Sequence, residues 1–182
     1  MLRALGEADA AFREDEVPIG AVIVIDTENG LVAIASNHNR CEQRLDPTAH
    51  AEILAIQDAC KAAGAGRLDR ATLYSTIEPC AMCAGAILHS RIERVVFGAF
   101  DTKFGAAGSQ TDLLTQSAPN SPKFNHKTAV TPGVLIDACK ERMQRFFQQK
   151  RRAANAAKSE SNESTIERRD AGAADRARLE SG

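Results

Sequence analysis

The sequence predicts an α/β domain built on a mixed sheet of about five strands, with helices over both faces. Three observations predict it. Short apolar runs of strand length recur through the first 131 residues. After the first two, these runs alternate with stretches that carry helical periodicity. The first two are instead joined by a tight turn, which makes them an antiparallel pair inside a sheet whose other members need crossover helices.

Residues 1–14 read as an amphipathic helix, with Leu2, Leu5, Ala8 and Phe12 at helical spacing. "IGAVIVID" (19–26) is a buried strand, "TENG" a turn and "LVAIAS" (31–36) the returning strand. "DPTAHAEILAIQDACKAAG" (46–64) is a helix, with Asp46 as N-cap, Pro47 in the first turn and Gly64 as the stop. "ATLYSTI" (71–77) is a strand, "CAMCAGAILHS" (80–90) a helix and "RVVFGA" (94–99) a further strand. Residues 104–126 form a loop too long to be only a connector, which points to a functional role. "KTAVT" (127–131) is a short strand and residues 134–152 a closing helix. Beyond residue 152 the chain turns to Ala, Ser, Glu, Arg and Asn, with Ile166 and Leu179 as the only large apolar residues. Such a segment cannot bury enough surface to offset its ordering entropy. The predicted organisation is a domain over 1–152 and a disordered tail over 153–182.

Composition narrows the class. The 182 residues are 43% hydrophobic and 26% charged, enough for a core and ordinary for a water-soluble domain. No apolar run approaches the length needed to cross a bilayer. The amino end is acidic and lacks the apolar stretch of a secretory signal. Five cysteines, two of them in Cys-x-x-Cys, fit a reducing compartment better than a disulfide framework, so the expected location is the cytoplasm. The net charge of −1 masks an uneven distribution: residues 1–20 balance at −3 and residues 140–152 at +5. A basic helix with adjacent Phe146 and Phe147 can hold phosphates and stack on bases. Taken alone, a solvated helix face with its phenylalanines in the core explains it equally simply.

The chemistry concentrates in "IEPCAMCAGAIL" (77–88). Cys80 and Cys83, three apart at a helix start, share a face; by spacing alone they are a redox pair, half of a structural zinc site or two ligands of a working metal. Among the four histidines, His50 opens a helix as "HAE", with Glu52 two positions on. Side chains two apart point about 200° apart around a helix. His50 and Glu52 therefore converge only if their site lies beyond the helix's amino end. Two helix amino ends meeting there favour thiolates. One imidazole and two thiolates leave a tetrahedral zinc one ligand short, so water fills the fourth place and Glu52 is free to carry its proton. A structural site would need a fourth ligand, for which Cys41, in a loop, is the contender; Cys60 and Cys139 read as core, and His38 and His89 as polar or supporting groups.

"HAE" followed by "PCAMC", 27 positions from Glu52 to Pro79, is the signature of the zinc deaminases. With "EVPIGAV", "DPTAHAEILAI", "ATLYSTIEPCAMCAGAILHSRIERVVFGA", "DTKFGAAGS" and "RFFQQKRR", most of residues 1–152 resembles the bacterial tRNA-specific adenosine deaminases. The resemblance implies a cytidine-deaminase-like α/β/α sandwich, a homodimer, one Zn2+ per subunit on His50, Cys80 and Cys83, and Glu52 as proton shuttle. It implies deamination of the wobble adenosine in a tRNA anticodon stem-loop. Asn39 would bond the flipped base, the backbone near Ala51 its amino-bearing edge, and Asp101 the loop's sugar and backbone. The helix ending "FFQQKRR", with Phe147 and Arg151, would lie beside loop bases and phosphates. Phe104, Gln148, Gln149 and an extended stretch from Thr115 to Asn125 depart from the family pattern, on the RNA side of the site. Two rivals share the metal motif: a deaminase of free bases or nucleosides, and a non-catalytic RNA-binding module with structural zinc.

Overall fold

A computed structural model of the chain describes residues 1–117 and 123–180, with side chains to residue 158. Helix α1 (Leu2–Arg13) precedes the hairpin of β1 (Gly20–Thr27) and β2 (Gly30–His38), whose turn is closed by Gly30 at φ +105°. A short helix α2 (Cys41–Arg44) leads to α3 (Ala51–Ala63), then β3 (Ala71–Ile77), α4 (Ala81–His89), β4 (Arg94–Ala99), β5 (Ala129–Thr131) and α5 (Ile136–Glu180). The sheet runs β2-β1-β3-β4-β5. β1 is antiparallel to both β2 and β3, while β3, β4 and β5 are mutually parallel. This is the mixed five-stranded sheet that the alternation of runs predicts.

The chain divides into two compact units, Met1–Gln144 and Arg145–Gly182. In the first, the two faces of the sheet carry separate cores. On one, Ala21 and Ile23 of β1, Leu73 of β3, Val95 and Phe97 of β4 pack with Ala55 and Ala59 of α3 and Ala84 and Ile87 of α4. On the other, Ile77 and Ala99 pack with Leu5 of α1 and Cys139 of α5. Arg142 adds a two-pronged bond to Asp9, with Nε to Oδ1 at 2.7 Å and Nη2 to Oδ2 at 2.9 Å, fastening the start of α5 to α1.

Three details differ from the sequence reading. α3 starts at Ala51 rather than in the first turn after Asp46. The reason is local: Asp46 Oδ1 accepts from the amide and hydroxyl of Thr48, 2.8 and 2.7 Å away, which favours a turn over a helix cap. His50, with extended backbone at ψ 150°, becomes the N-cap. The four-residue α2 was not foreseen. The backbone of α5 continues through 153–180, where composition predicts no fold; this stretch offers almost no apolar surface, so a helix there rests on its own backbone bonds. Part of the extension expected between Thr115 and Asn125 lies outside the described residues. Among those described, no helix is long and apolar enough to cross a membrane.

The arrangement gathers chain ends on one edge. β1 runs opposite to β3, with Gly20 paired to His38 and Ala21 to Ser75, so the ends of β2, β3 and β4 and the start of β1 all meet there. Gly20 makes this edge compact. A Cβ at position 20 would run into the Ala4 carbonyl oxygen and lie 2.6 Å from the Ala8 nitrogen, both backbone atoms of α1. Gly20→Ala is therefore expected to cost about 3 kcal/mol, the upper range for overpacking, read as a fall in the urea midpoint with unchanged slope.

Candidate metal centre and active site

Each side chain of the centre is placed by the first residue or turn of an element at the gathered edge. His50 is the N-cap of α3 and Cys80 that of α4, both extended just before their helices begin. Pro79 ahead of Cys80 carries no amide hydrogen to donate. Cys83, one turn into α4, points to the same side as Cys80. His50 Nδ1 lies 3.7 Å from Cys80 Sγ and 3.6 Å from Cys83 Sγ. The three ligand atoms all fall within 4.8 Å of one another, and among the described residues they form the group able to hold a metal ion.

Glu52 enters from the first turn of α3 and is only 3% exposed. One carboxylate oxygen accepts from Ser75 Oγ at 3.1 Å, the other from the Cys83 thiol at 3.6 Å. Burial raises its carboxyl above the usual carboxylate range. The two sulfurs behave differently. The hydrogen bond from Cys83, followed by one from His50, holds the Cys80 thiol down to about 4, so Cys80 is the thiolate. The Cys83 thiol is pushed up by that same bond and by burial, and it keeps its proton. Bonding to the Cys80 sulfur raises the His50 imidazole. The centre thus holds a thiolate, a thiol, an imidazole and an adjacent acid within one contact shell, suited to gripping a cation and moving protons beside it.

His50, Glu52, Cys80 and Cys83 are brought together as their spacing predicts. Asn39 is 4% exposed, and its Oδ1 accepts the Ala51 amide at 2.9 Å. The Ala51 N–H is therefore already engaged, and the Nδ2 amide of Asn39 is the group that can meet a ligand. Asp101 follows β4, its Oδ1 accepting the Lys103 and Phe104 amides at 2.9 and 3.1 Å. Phe104 is 70% exposed. In the second unit Phe147 and Arg151 are exposed while Phe146 is buried. Cys41 stands outside the ligand group, its thiol raised by burial. Cys60 lies against the larger core, and Cys139 sits in the smaller one. His38 is buried, with Glu7 at 2.9 Å and Glu14 at 3.2 Å from its two ring nitrogens.

Two participants escape the motif reading. Ser75 shows no sign in sequence beyond its place in a strand. Glu78 does: a carboxylate inside an otherwise apolar run, between a strand and the Pro-Cys pair, is 2% exposed and needs partners to be there.

Comparison with known proteins agrees with this geometry. Residues 1–151 match the family of MafB19-like deaminases. A tRNA-specific adenosine deaminase of Bacillus subtilis (strain 168) is 47% identical over 163 residues, covering 90% of this chain and 96% of that protein. A solved tRNA:A34 deaminase, from work on A-to-I editing at the wobble position of transfer RNA, is 44% identical at a TM-score of 0.66, covering 76% of this chain and 94% of its own. A guanine deaminase from Bacillus subtilis is 33% identical at a TM-score of 0.51, covering 83% of this chain and 90% of its own.

Cys83→Ala removes the most enclosed of the three ligand atoms. Elemental analysis of the purified protein is expected to find about one divalent metal per chain in the parent and a loss of at least tenfold in occupancy in the variant. Full occupancy in the variant would show that another donor set holds the ion.

Proposed function

Because the chain belongs to the family of tRNA-specific adenosine deaminases, within the MafB19-like deaminases, we propose that it converts the wobble adenosine of a tRNA anticodon loop to inosine by hydrolysis. The single observation that carries the reading is the closure of three ligand atoms beside an acid that is not one of them. Zinc bonds of about 2.3 Å to sulfur and 2.0–2.1 Å to nitrogen at a tetrahedral angle require about 3.6 Å between sulfur and nitrogen. The distances here are 3.7 and 3.6 Å. The donor set therefore fits one zinc per subunit, held by His50 Nδ1, Cys80 and Cys83, with a fourth position left for water.

Zinc, when bound, supplies a Lewis acid that brings water close to ionisation at neutral pH. Glu52 performs the proton chemistry. It accepts the proton that the attacking water loses as oxygen bonds to C6 of adenine, and passes it to N1. It then takes the proton of the new C6 hydroxyl and delivers it to the C6 amine, which departs as ammonia as the C6 oxygen becomes the inosine carbonyl. Its raised carboxyl suits both directions of transfer, and Ser75 holds the oxygen that does not meet Cys83. Adenine is a weak electrophile, so proton delivery to N1 is as necessary as the nucleophile. An anticodon loop presents bases already unpaired, so drawing one into the pocket costs less than from a duplex.

On this reading Asn39 offers its Nδ2 amide to the flipped base, with the start of α3 at Ala51 bordering it. Asp101 meets the adjoining sugar and backbone. Phe147 offers a ring to a loop base and Arg151 a charge to phosphate. The active form is a homodimer, and tRNA as substrate fits a cytoplasmic setting. A buried acid next to the ligands separates this from a structural zinc module, which has no use for it.

Zinc-loaded protein is expected to form inosine in an anticodon stem-loop bearing wobble adenosine, and to do so far faster than it releases ammonia from free adenosine, guanine or cytosine. Turnover of free guanine or cytosine with none on the stem-loop would contradict the substrate. Glu52→Ala is expected to retain zinc and fold while losing roughly 10³-fold in turnover, within the range for removal of a general acid–base. Persistent turnover would take the proton-carrying role from Glu52.

A further inference from the structure

Glu78 is among the most enclosed charged side chains of the domain, and no step of the proposed chemistry uses it. It follows β3 directly, its amide donating to Ala99 O at 2.9 Å, and precedes Pro79 and the ligand Cys80. Its carboxylate is the centre about which residues 101–109 fold. Oε1 accepts the amides of Ala107 and Ser109 at 2.9 and 3.0 Å. Oε2 accepts the Asp101 amide at 3.1 Å and the Ser109 hydroxyl. Four donors on one buried carboxylate make a strong, charge-assisted anchor.

The loop is shaped to reach it. At Gly105 a Cβ would collide with Glu78 Oε2 and stand 2.5 Å from the Asp101 carbonyl oxygen, so only glycine lets the backbone close over the carboxylate. The same loop is tied to the ligand segment by the Ala106 amide on Pro79 O at 2.9 Å and by a bridge between Cys80 and Gly105. Asp101, its amide held by Glu78, arranges its own side chain over the Lys103 and Phe104 amides. One carboxylate thus sets the distance between a metal ligand and the loop that follows β4.

We infer that Glu78 is a positioning residue for the polynucleotide substrate: it holds the 101–109 loop beside Cys80 in the shape that receives the RNA strand flanking the target base. The inference rests on the proposed tRNA deamination for the identity of that strand. Glutamine at 78 keeps the volume but offers one acceptor oxygen, and its NH2 would face donors, so at least two of the four lose their acceptor.

The test uses the zinc-loaded full chain, its Glu78→Gln variant and a milder Ser109→Ala variant that removes one donor. Three quantities are read: zinc per chain, hydrogen exchange of the Asp101, Ala107 and Ser109 amides, and kcat and KM on the anticodon stem-loop. Glu78→Gln is expected to keep one zinc per chain, speed exchange of those amides by about tenfold or more while β1 and β3 amides stay protected, and raise KM by about tenfold with kcat changed less than about threefold. Ser109→Ala is expected to move KM in the same direction by less. Unchanged loop exchange, faster exchange with unchanged KM, or a fall confined to kcat would each overturn the inference. If Glu78→Gln fails to fold, an unchanged KM in Ser109→Ala overturns it. A parent protein inactive on the stem-loop would instead overturn the functional reading, and loop exchange would then decide whether Glu78 anchors the loop.

Discussion

His50 and Cys80 each cap the amino end of a helix, with His50 Nδ1 3.7 Å from Cys80 Sγ, and the rest of the site depends on these two helix starts meeting. A helix amino terminus carries about half a positive charge and favours a nearby anion by up to about 2 kcal/mol. Desolvating an ion costs several kcal/mol. The Cys83 hydrogen bond, followed by that from His50, lowers the Cys80 thiol against its own burial. That balance is visible in the sulfurs, with Cys80 driven to the thiolate while Cys83 keeps its proton and shares it with Glu52.

Two buried carboxylates flank this meeting point and divide the work by their partners. Glu52 has a serine hydroxyl and a thiol, and burial raises its carboxyl above the ordinary carboxylate range. Glu78 has three amides and a hydroxyl, all from one loop. A carboxylate with few donors is available for proton transfer, whereas one saturated with donors is a structural hub. Both lie between His50 and Cys80 in the chain, one in the first turn of α3 and the other just before α4. Chemistry and loop geometry are consequently built on the same stretch of sheet edge.

The legible part of the sequence was what repeats or what chemistry constrains. Alternating apolar runs point to the five strands and their mixed directions, and "HAE" and "PCAMC" point to the residues that the fold brings into one group able to hold a metal ion. Less legible were features decided by competition between local bonds. Asp46 looks like a helix cap until its pairing with Thr48 is known, which moves the start of α3 to Ala51 and makes His50 the cap. Asn39 accepts the Ala51 amide, a contact across twelve positions that no pattern announces. Glu78 signals a need for partners but not where they are, since they lie 23 to 31 positions away in the loop that follows β4.

The measurement that bears most directly on the central claim is X-ray absorption at the zinc edge of the purified protein. The account predicts two sulfurs at about 2.3 Å and two nitrogen or oxygen neighbours at about 2.0–2.1 Å, one of them exchangeable. Three or four sulfur neighbours, or a shell closed entirely by protein atoms, would contradict it, since no place would remain for the water that Glu52 is positioned to serve.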